Sequence, residues 1–236
     1  MNNYNEMKWT DRNIQRFWDY ESNFKENYFT YQVGDKVINY FSKYFLKNTR
    51  LLDFGCGAGF LIQHLLTIDA EIYGLDFSDE SLAKVNKKFS KNDNFRGAYT
   101  VSGYTEKEQK FDTIIATEVI EHLDDEKLDS TMNFILKSLA EQGTAIFTTP
   151  NDEDLSKSMI YCPEADCVFH RWQHVRSWSE DSLQKYLKKY FSHVEIQTTN
   201  FSIITSSKQK IKNRINQFLG RYVPPKQPHL IAIVKK

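Results

Sequence analysis

The stretch EVIEH at 118–122 sets two carboxylates and an imidazole close together in the chain. The preceding residues, KFDTIIAT, read as an apolar strand that passes into a helix near Thr117. On such a helix Glu118, Glu121 and His122 stand at i, i+3 and i+4 and share one face. Two acids and an imidazole that converge at a cleft are costly to bury unless they share a proton or a cation. The other reading is a helix start whose acids favour the helix dipole, with His122 in solvent.

A later segment, CPEADCVFHRWQHVRSWSEDSL, offers further ligand types. Cys162, Cys167, His170 and His174 follow a C-x4-C-x2-H-x3-H spacing that could close around zinc, although the first pair departs from the usual C-x2-C. His170 and Arg171 could instead touch a substrate, and Arg171 or Arg176 would suit a phosphate. The simpler alternative is surface charge on a long loop.

Such side chains need a framework, and LLDFGCGAGFL at 51–61 supplies its clearest sign. Three of the nine glycines alternate there, between the apolar Leu51–Leu52 pair and the helically spaced Phe60, Leu61, Leu65 and Leu66. This is a strand, a tight turn and a helix, with bare backbone able to approach a ligand. A dinucleotide fingerprint needs its third glycine where Phe60 stands, which favours an adenosyl ligand without a pyrophosphate. The next strand, EIYGLDFS, ends in Asp76, where nucleotide-binding α/β units place the acid that takes both ribose hydroxyls. Asp76 could also belong to a helix start, a role that Ser78 or Asp79 in DFSDESL can fill.

In their order and spacing, LLDFGCGAGFL, IYGLDFSDESL, FDTIIATEVIEHL and TAIFTTPN resemble the class I S-adenosylmethionine-dependent methyltransferases, over roughly residues 48 to 200. The resemblance implies an α/β, Rossmann-like fold: a seven-stranded, mostly parallel sheet with flanking helices. It implies S-adenosyl-L-methionine as cofactor, held by Asp53, Gly55, Cys56, Gly57, Asp76, Phe77 and Glu118. Family members often carry an acid after the third strand for the adenine amino group; AYTVSGY has none, which leaves Ser102 or a backbone group.

The ExxEH pattern, followed by a histidine shortly before a W-[ST]-x-[DE] helix cap, looks like the small-RNA 2′-O-methyltransferases. Ubiquinone-pathway O-methyltransferases are similar around EVIEH. The first resemblance implies a divalent ion held by Glu118, Glu121, His122 and His174 against neighbouring acceptor oxygens, and the second implies the same kind of metal. Oxygen-rich ligands would suit Mg or Mn, and the ion would acidify the accepting hydroxyl. Without a metal, His122 or His174 becomes the catalytic base.

Length and composition set the remaining bounds. A chain of 236 residues suits one domain: an N-terminal helical cap over 1–46, a donor-binding core over 48–204, a basic helical insertion over 205–226 and a last strand over 227–236. The cap carries aromatic stripes that either pack on the sheet or cover the donor. KFDTIIATEVIEHL is expected to run from strand into helix, and LDSTMNFILKSLAEQG to be a helix stopped by Gly143. With 31 basic and 31 acidic residues there is no global attraction to polyanions, so an RNA or phosphate-bearing partner would rely on the 208–226 stretch. Three cysteines make no disulfide framework, and no leader or membrane-length apolar run appears, so a cytoplasmic protein without a membrane partner is expected.

These readings converge on an O-methyltransferase for a small-molecule hydroxyl, with a sugar or nucleotide-sugar as first acceptor and Trp172 and Trp178 as ring-stacking candidates. RNA 2′-O-methylation and metal-free small-molecule methylation are the alternatives. A non-catalytic donor-fold scaffold is a third, opposed by the intact Asp53, Gly55, Gly57, Gly59 and Asp76.

Overall fold

The computed structural model describes residues 4–105, 109–202 and 227–236. Strands β2 (Arg50–Phe54), β3 (Glu71–Leu75), β4 (Phe95–Tyr99), β5 (Phe111–Thr117) and β6 (Leu139–Pro150) are parallel. They are completed by β9 (His193–Thr199) and β10 (His229–Lys235) into one sheet of order β4-β3-β2-β5-β6-β10-β9, with β10 antiparallel to both its neighbours. The expected seven-stranded, mostly parallel sheet is therefore present. The chain runs outward from β2 to β4, then returns to β5 on the other side of β2. This reversal opens a crevice at the carboxyl ends of β2 and β5, where open α/β sheets receive ligands.

Helices α3 (Phe60–Leu65), α4 (Asp79–Phe89), α6 (Asp125–Ser138) and α7 (Glu180–Leu187) cover the sheet. Their buried residues, such as Leu61, Ile62 and Leu65 on α3 or Leu128, Met132 and Ile135 on α6, recur at helical steps. A short α5 (Val101–Thr105) follows β4. The core lies on both faces of the sheet, with Leu52, Ile114 and Phe147 on one side and Leu51, Ile115 and Ile146 on the other.

The helical cap divides its labour. On α2 (Phe29–Tyr40), Val33, Gly34 and Val37 are buried, and Gly34 allows close packing because a Cβ there would stand 2.7 Å from the His64 ring. The first cap helix, α1 (Asp11–Glu21), buries no residue completely; its Ile14 and Trp18 line the crevice. Thus one part of the cap is core and the other is roof. Lys127 of α6 ties the roof down through Asp11 at 3.0 Å.

Four expectations from sequence need correction. First, Glu118–His122 is not helical: Glu118 has φ +52°, its N–H bonds to the Thr148 carbonyl, and α6 begins only after the Asp124 cap. The Asp124 carboxylate accepts from the Lys127 N–H and is a better N-cap than Thr117, whose backbone continues the ladder with Thr148. Second, helix α6 stops at Ser138, not at Gly143. Leu139 is already drawn into pairing with Phe111, and a register shift follows, where a Cβ on Gly143 would press within 2.9 Å of the Phe111 carbonyl.

Third, the loop after β6 contains a hairpin, β7 (Met159–Cys162) and β8 (Cys167–His170), joined by β1 (Asn5–Glu6) in a small second sheet. Fourth, Trp178 is core and Arg176 is structural. The Arg176 guanidinium donates to the Leu123 carbonyl and Asp125, and neither Arg176 nor Trp178 lines the crevice. The basic stretch at 205–226 lies outside the described residues. Among the described residues, no helix is long and apolar enough to cross a membrane.

Candidate active site

A cavity of about 850 Å³ occupies the crevice. One end is the glycine turn. Gly55, Gly57 and Gly59 all have positive φ, and at Gly55 a Cβ would collide with Val119 at 2.5 Å. Only glycine satisfies both demands here. Asp76 closes this end: its carboxylate accepts the Gly57 N–H at 2.8 Å and the Ser78 N–H at 3.0 Å. The cap of α4 is Ser78, whose hydroxyl accepts from the Ser81 N–H, so Asp76 is not spent on that duty.

Asp53, beneath the turn, is 2% exposed and has one carboxylate oxygen without a partner. Burial, reinforced by the neighbouring Asp76, pushes its carboxyl up to about 8. Burial likewise raises Asp76, against the pull of its backbone donors. Neither acid has a cationic partner among the described residues. Cys56 is buried in the turn, which keeps its thiol protonated. Asp53, Gly55, Cys56, Gly57, Asp76, Phe77 and Glu118 all line the cavity. Ser102 does not; it bonds to Thr100, and its neighbour Val101 is the lining residue.

At the other end stand His122 and His174, with ring centroids 4.8 Å apart. Glu121 is almost fully buried behind them. The Thr149 hydroxyl donates to its Oε2 at 2.9 Å, while Oε1 has no hydrogen-bond partner and lies 4.0 Å from His122 Nε2. Ligand atoms of Glu121, His122 and His174 lie within 4.8 Å of one another. Burial, with Glu118 adding repulsion, raises the Glu121 carboxyl well above its ordinary range. Burial first, then His174, pushes the His122 imidazole down to about 3. Both groups are thus held neutral where nothing compensates them.

Each imidazole has its own support. The His122 Nδ1 faces the Gln173 carbonyl at 3.4 Å, so it is the donor and Nε2 keeps the lone pair. Gln173 is itself pinned: its side chain donates to the His122 carbonyl and accepts from the Trp18 indole at 3.0 Å. His174 Nδ1 lies 2.5 Å from Glu153 Oε2. Neither Glu153 nor Gln173 was singled out from sequence. The one local signal for Glu153 is its place two residues after TTPN.

Of the four expected metal ligands the fold thus gathers Glu121, His122 and His174. Glu118 sits apart, accepting from the Thr148 hydroxyl at 2.8 Å with His229 at 3.8 Å on the same oxygen. The zinc arrangement does not form. Cys162 and Cys167 face each other across the hairpin, and among the described residues the metal-capable groups around His170 and His174 include neither cysteine.

Residues 24–190 match the family described as a methyltransferase domain. The chain belongs to this family. It is an S-adenosylmethionine-dependent methyltransferase of class I, as its motifs imply. The ubiquinone biosynthesis O-methyltransferase of Pelagibacter ubique (strain HTCC1062) is 32% identical over 108 residues, 45% of this chain and 44% of that one. The mitochondrial ubiquinone biosynthesis O-methyltransferase of Homo sapiens is 31% identical over 120 residues, 48% and 32% of the two chains. The methyltransferase therefore spans less than half the length of these two curated relatives. Among solved structures, an S-adenosylmethionine-dependent methyltransferase from Clostridium acetobutylicum ATCC 824 shares the fold with a TM-score of 0.62 at 17% identity, over 92% of this chain and 96% of that one.

Proposed function

We propose that this methyltransferase moves the methyl group of S-adenosyl-L-methionine to a hydroxyl of a small ring compound that carries a neighbouring oxygen. The observation that carries this reading is the single cavity joining the glycine turn and Asp76 to the imidazoles of His122 and His174. At the donor end, Asp76 has lone pairs left for ribose hydroxyls beyond its two backbone donors. The unpaired, buried Asp53 and Asp76 favour a cationic ligand, which a sulfonium donor is.

The hydroxyl oxygen attacks the methyl carbon in line, the carbon–sulfur bond breaks onto sulfur, and the hydroxyl proton leaves to a base. Alignment and proton removal are the protein's tasks, because the donor is already activated. Trp18, against the His122 ring, and Trp172 wall the acceptor end with aromatic surface, while Tyr28 stands over the glycine turn. Such walls exclude water and stack on a ring, consistent with the sugar expectation, although Trp178 is withdrawn from it.

The orphaned Glu121 Oε1 and the free Nε2 atoms of His122 and His174 fit a divalent ion. With two imidazoles in the set, manganese suits it better than magnesium. When bound, the ion would lower the pKa of the accepting hydroxyl. Without it, the free Nε2 of His174 takes the proton, since burial leaves His122 a weak base. The similarity to O-methyltransferases over part of their length supports oxygen as the accepting atom.

The test titrates manganese calorimetrically into metal-stripped protein saturated with S-adenosylhomocysteine, beside Glu121→Ala and His174→Ala. A panel of sugars, nucleotide-sugars, catechols, amines and RNA ends is then assayed with labelled donor. One-site manganese binding lost in both variants, with label on a small-molecule hydroxyl, is expected. Label on amines alone overturns the hydroxyl reading, and label on RNA with steep salt dependence replaces the small acceptor by RNA.

A further inference from the structure

Behind His174, on the side away from the cavity, Glu153 and His170 form a group that the proposed reaction leaves unused. Neither lines the cavity, so neither touches an acceptor there. Their positions are fixed by backbone. Asp152 adopts φ +47° and its N–H bonds to the Trp178 carbonyl, which carries Glu153 over to the 170–174 turn. The Glu153 carboxylate meets His174 Nδ1 with one oxygen, at 2.5 Å, and His170 Nε2 with the other, at 3.5 Å.

His170 decides how this group works. Its ring is 3% exposed and stacks on His174, with centroids 4.6 Å apart. Its Nδ1 accepts two backbone N–H groups, from Trp172 at 3.3 Å and His174 at 3.1 Å. A nitrogen that accepts carries no proton, so the ring's proton lies on Nε2, which stands 3.5 Å from Glu153 Oε1 without a hydrogen-bond partner. This also removes His170 as a metal ligand, since its remaining nitrogen has no lone pair to give. The trio of Glu153, His170 and His174 is therefore not a second cation site, although its ligand-type atoms lie close together.

We propose that Glu153 is a positioning residue: its carboxylate, beside a His174 ring on which His170 is stacked, holds the proton of His174 on Nδ1 and so keeps a lone pair on Nε2 at the cavity wall. The inference rests on the functional reading above, in which that lone pair binds an ion or takes the acceptor's proton. The structural claim concerns the tautomer alone. A histidine in water prefers the opposite tautomer, with its proton on Nε2, so the orientation has to be imposed. A carboxylate on one ring nitrogen is a known way to impose it, and loss of such a partner typically costs about 10- to 100-fold in metal affinity or activity.

The experiment is long-range 1H–15N NMR on the full chain labelled with 15N-histidine, at pH 8.5 with chelator, for wild type, Glu153→Ala and Glu153→Gln. The His174 signals are assigned by their loss in His174→Asn. In the wild type His174 should show a protonated Nδ1 and an unprotonated Nε2. In Glu153→Ala the proton should shift toward Nε2, and in Glu153→Gln, whose amide oxygen can still accept, it should stay on Nδ1. Turnover should fall about 10- to 100-fold in Glu153→Ala with the donor KM within threefold, and recover in part in Glu153→Gln.

A wild-type proton on Nε2, or the same tautomer in wild type and Glu153→Ala, overturns the proposal. Should Glu153→Ala not fold, the wild-type and Glu153→Gln spectra still decide, because a proton on Nε2 in either sinks it. The expected tautomers together with no transfer to any hydroxyl would leave Glu153 in this role while refuting the functional reading.

Discussion

Between Arg50 and Ser78 the cavity wall is continuous chain, and its acid, Asp76, is held by backbone N–H groups of Gly57 and Ser78. On the opposite wall, His122 and His174 come from separate segments. Each is oriented by a partner that the local sequence does not announce: the Gln173 carbonyl for one and the Glu153 carboxylate for the other. The donor end is thus a backbone shape, tolerant of side-chain identity except where a Cβ will not fit. The acceptor end is a hydrogen-bonded set of side chains, where one substitution leaves a buried partner unsatisfied. This difference suits a common donor and a variable acceptor.

Breaking the donor end should have the largest effect. Gly55→Ala puts a Cβ into Val119 at a residue with φ +76°. It should weaken S-adenosylhomocysteine binding more than about 100-fold and lower Tm by several degrees, by calorimetry and thermal melts. Retained affinity would mean that the turn can relax, and the contrast between the two ends would fall.

Breaking the acceptor end should separate the two functions. His122→Ala should reduce turnover about 100-fold or more while donor affinity stays within threefold, because the donor is held by the glycine turn and Asp76 and not by the imidazole. Equal losses in both would show that the ends are coupled through the Trp18–Gln173–His122 chain rather than independent.

A smaller effect sharpens the comparison through pH. Asp53 has a folded pKa of about 8, above the ordinary value of 3.8. A raised carboxyl contributes stability that is full below the unfolded value and is lost as pH rises through the folded one. Ligand-free wild type should therefore lose Tm relative to Asp53→Asn between about pH 4 and pH 8, and the gap should level off above that. Parallel curves would show that the Asp53 carboxylate finds a compensating partner in solution.

Much of the fold was legible because its signals are local. The apolar strand cores, the glycine turn and the Ser78 and Ser179 helix caps are each set by neighbours within a few residues. The errors came where distant pairing overrode local preference. EVIEHL has helical spacing, yet the Glu118 N–H bonds to Thr148 and Glu121 turns inward to Thr149. Gly143 looks like a helix stop, yet it marks a strand that passes close to the Phe111 carbonyl. Trp178 and Arg176 looked like ligand contacts because aromatic and cationic side chains serve core and site alike.

The sequence by itself determined the glycine turn: three alternating glycines after one strand and an acid after the next shape a tight turn whose backbone the acid accepts. It also named His122, His174 and Glu121 as chemical candidates. Tertiary structure alone decided that these three meet while Glu118 stays apart, and which nitrogen of each imidazole is free. The reason is physical: a turn is fixed by φ and by the absence of a Cβ, both properties of single residues. A tautomer is fixed by whichever acceptor the fold brings to the ring, and Gln173 and Glu153 reach it from remote parts of the chain.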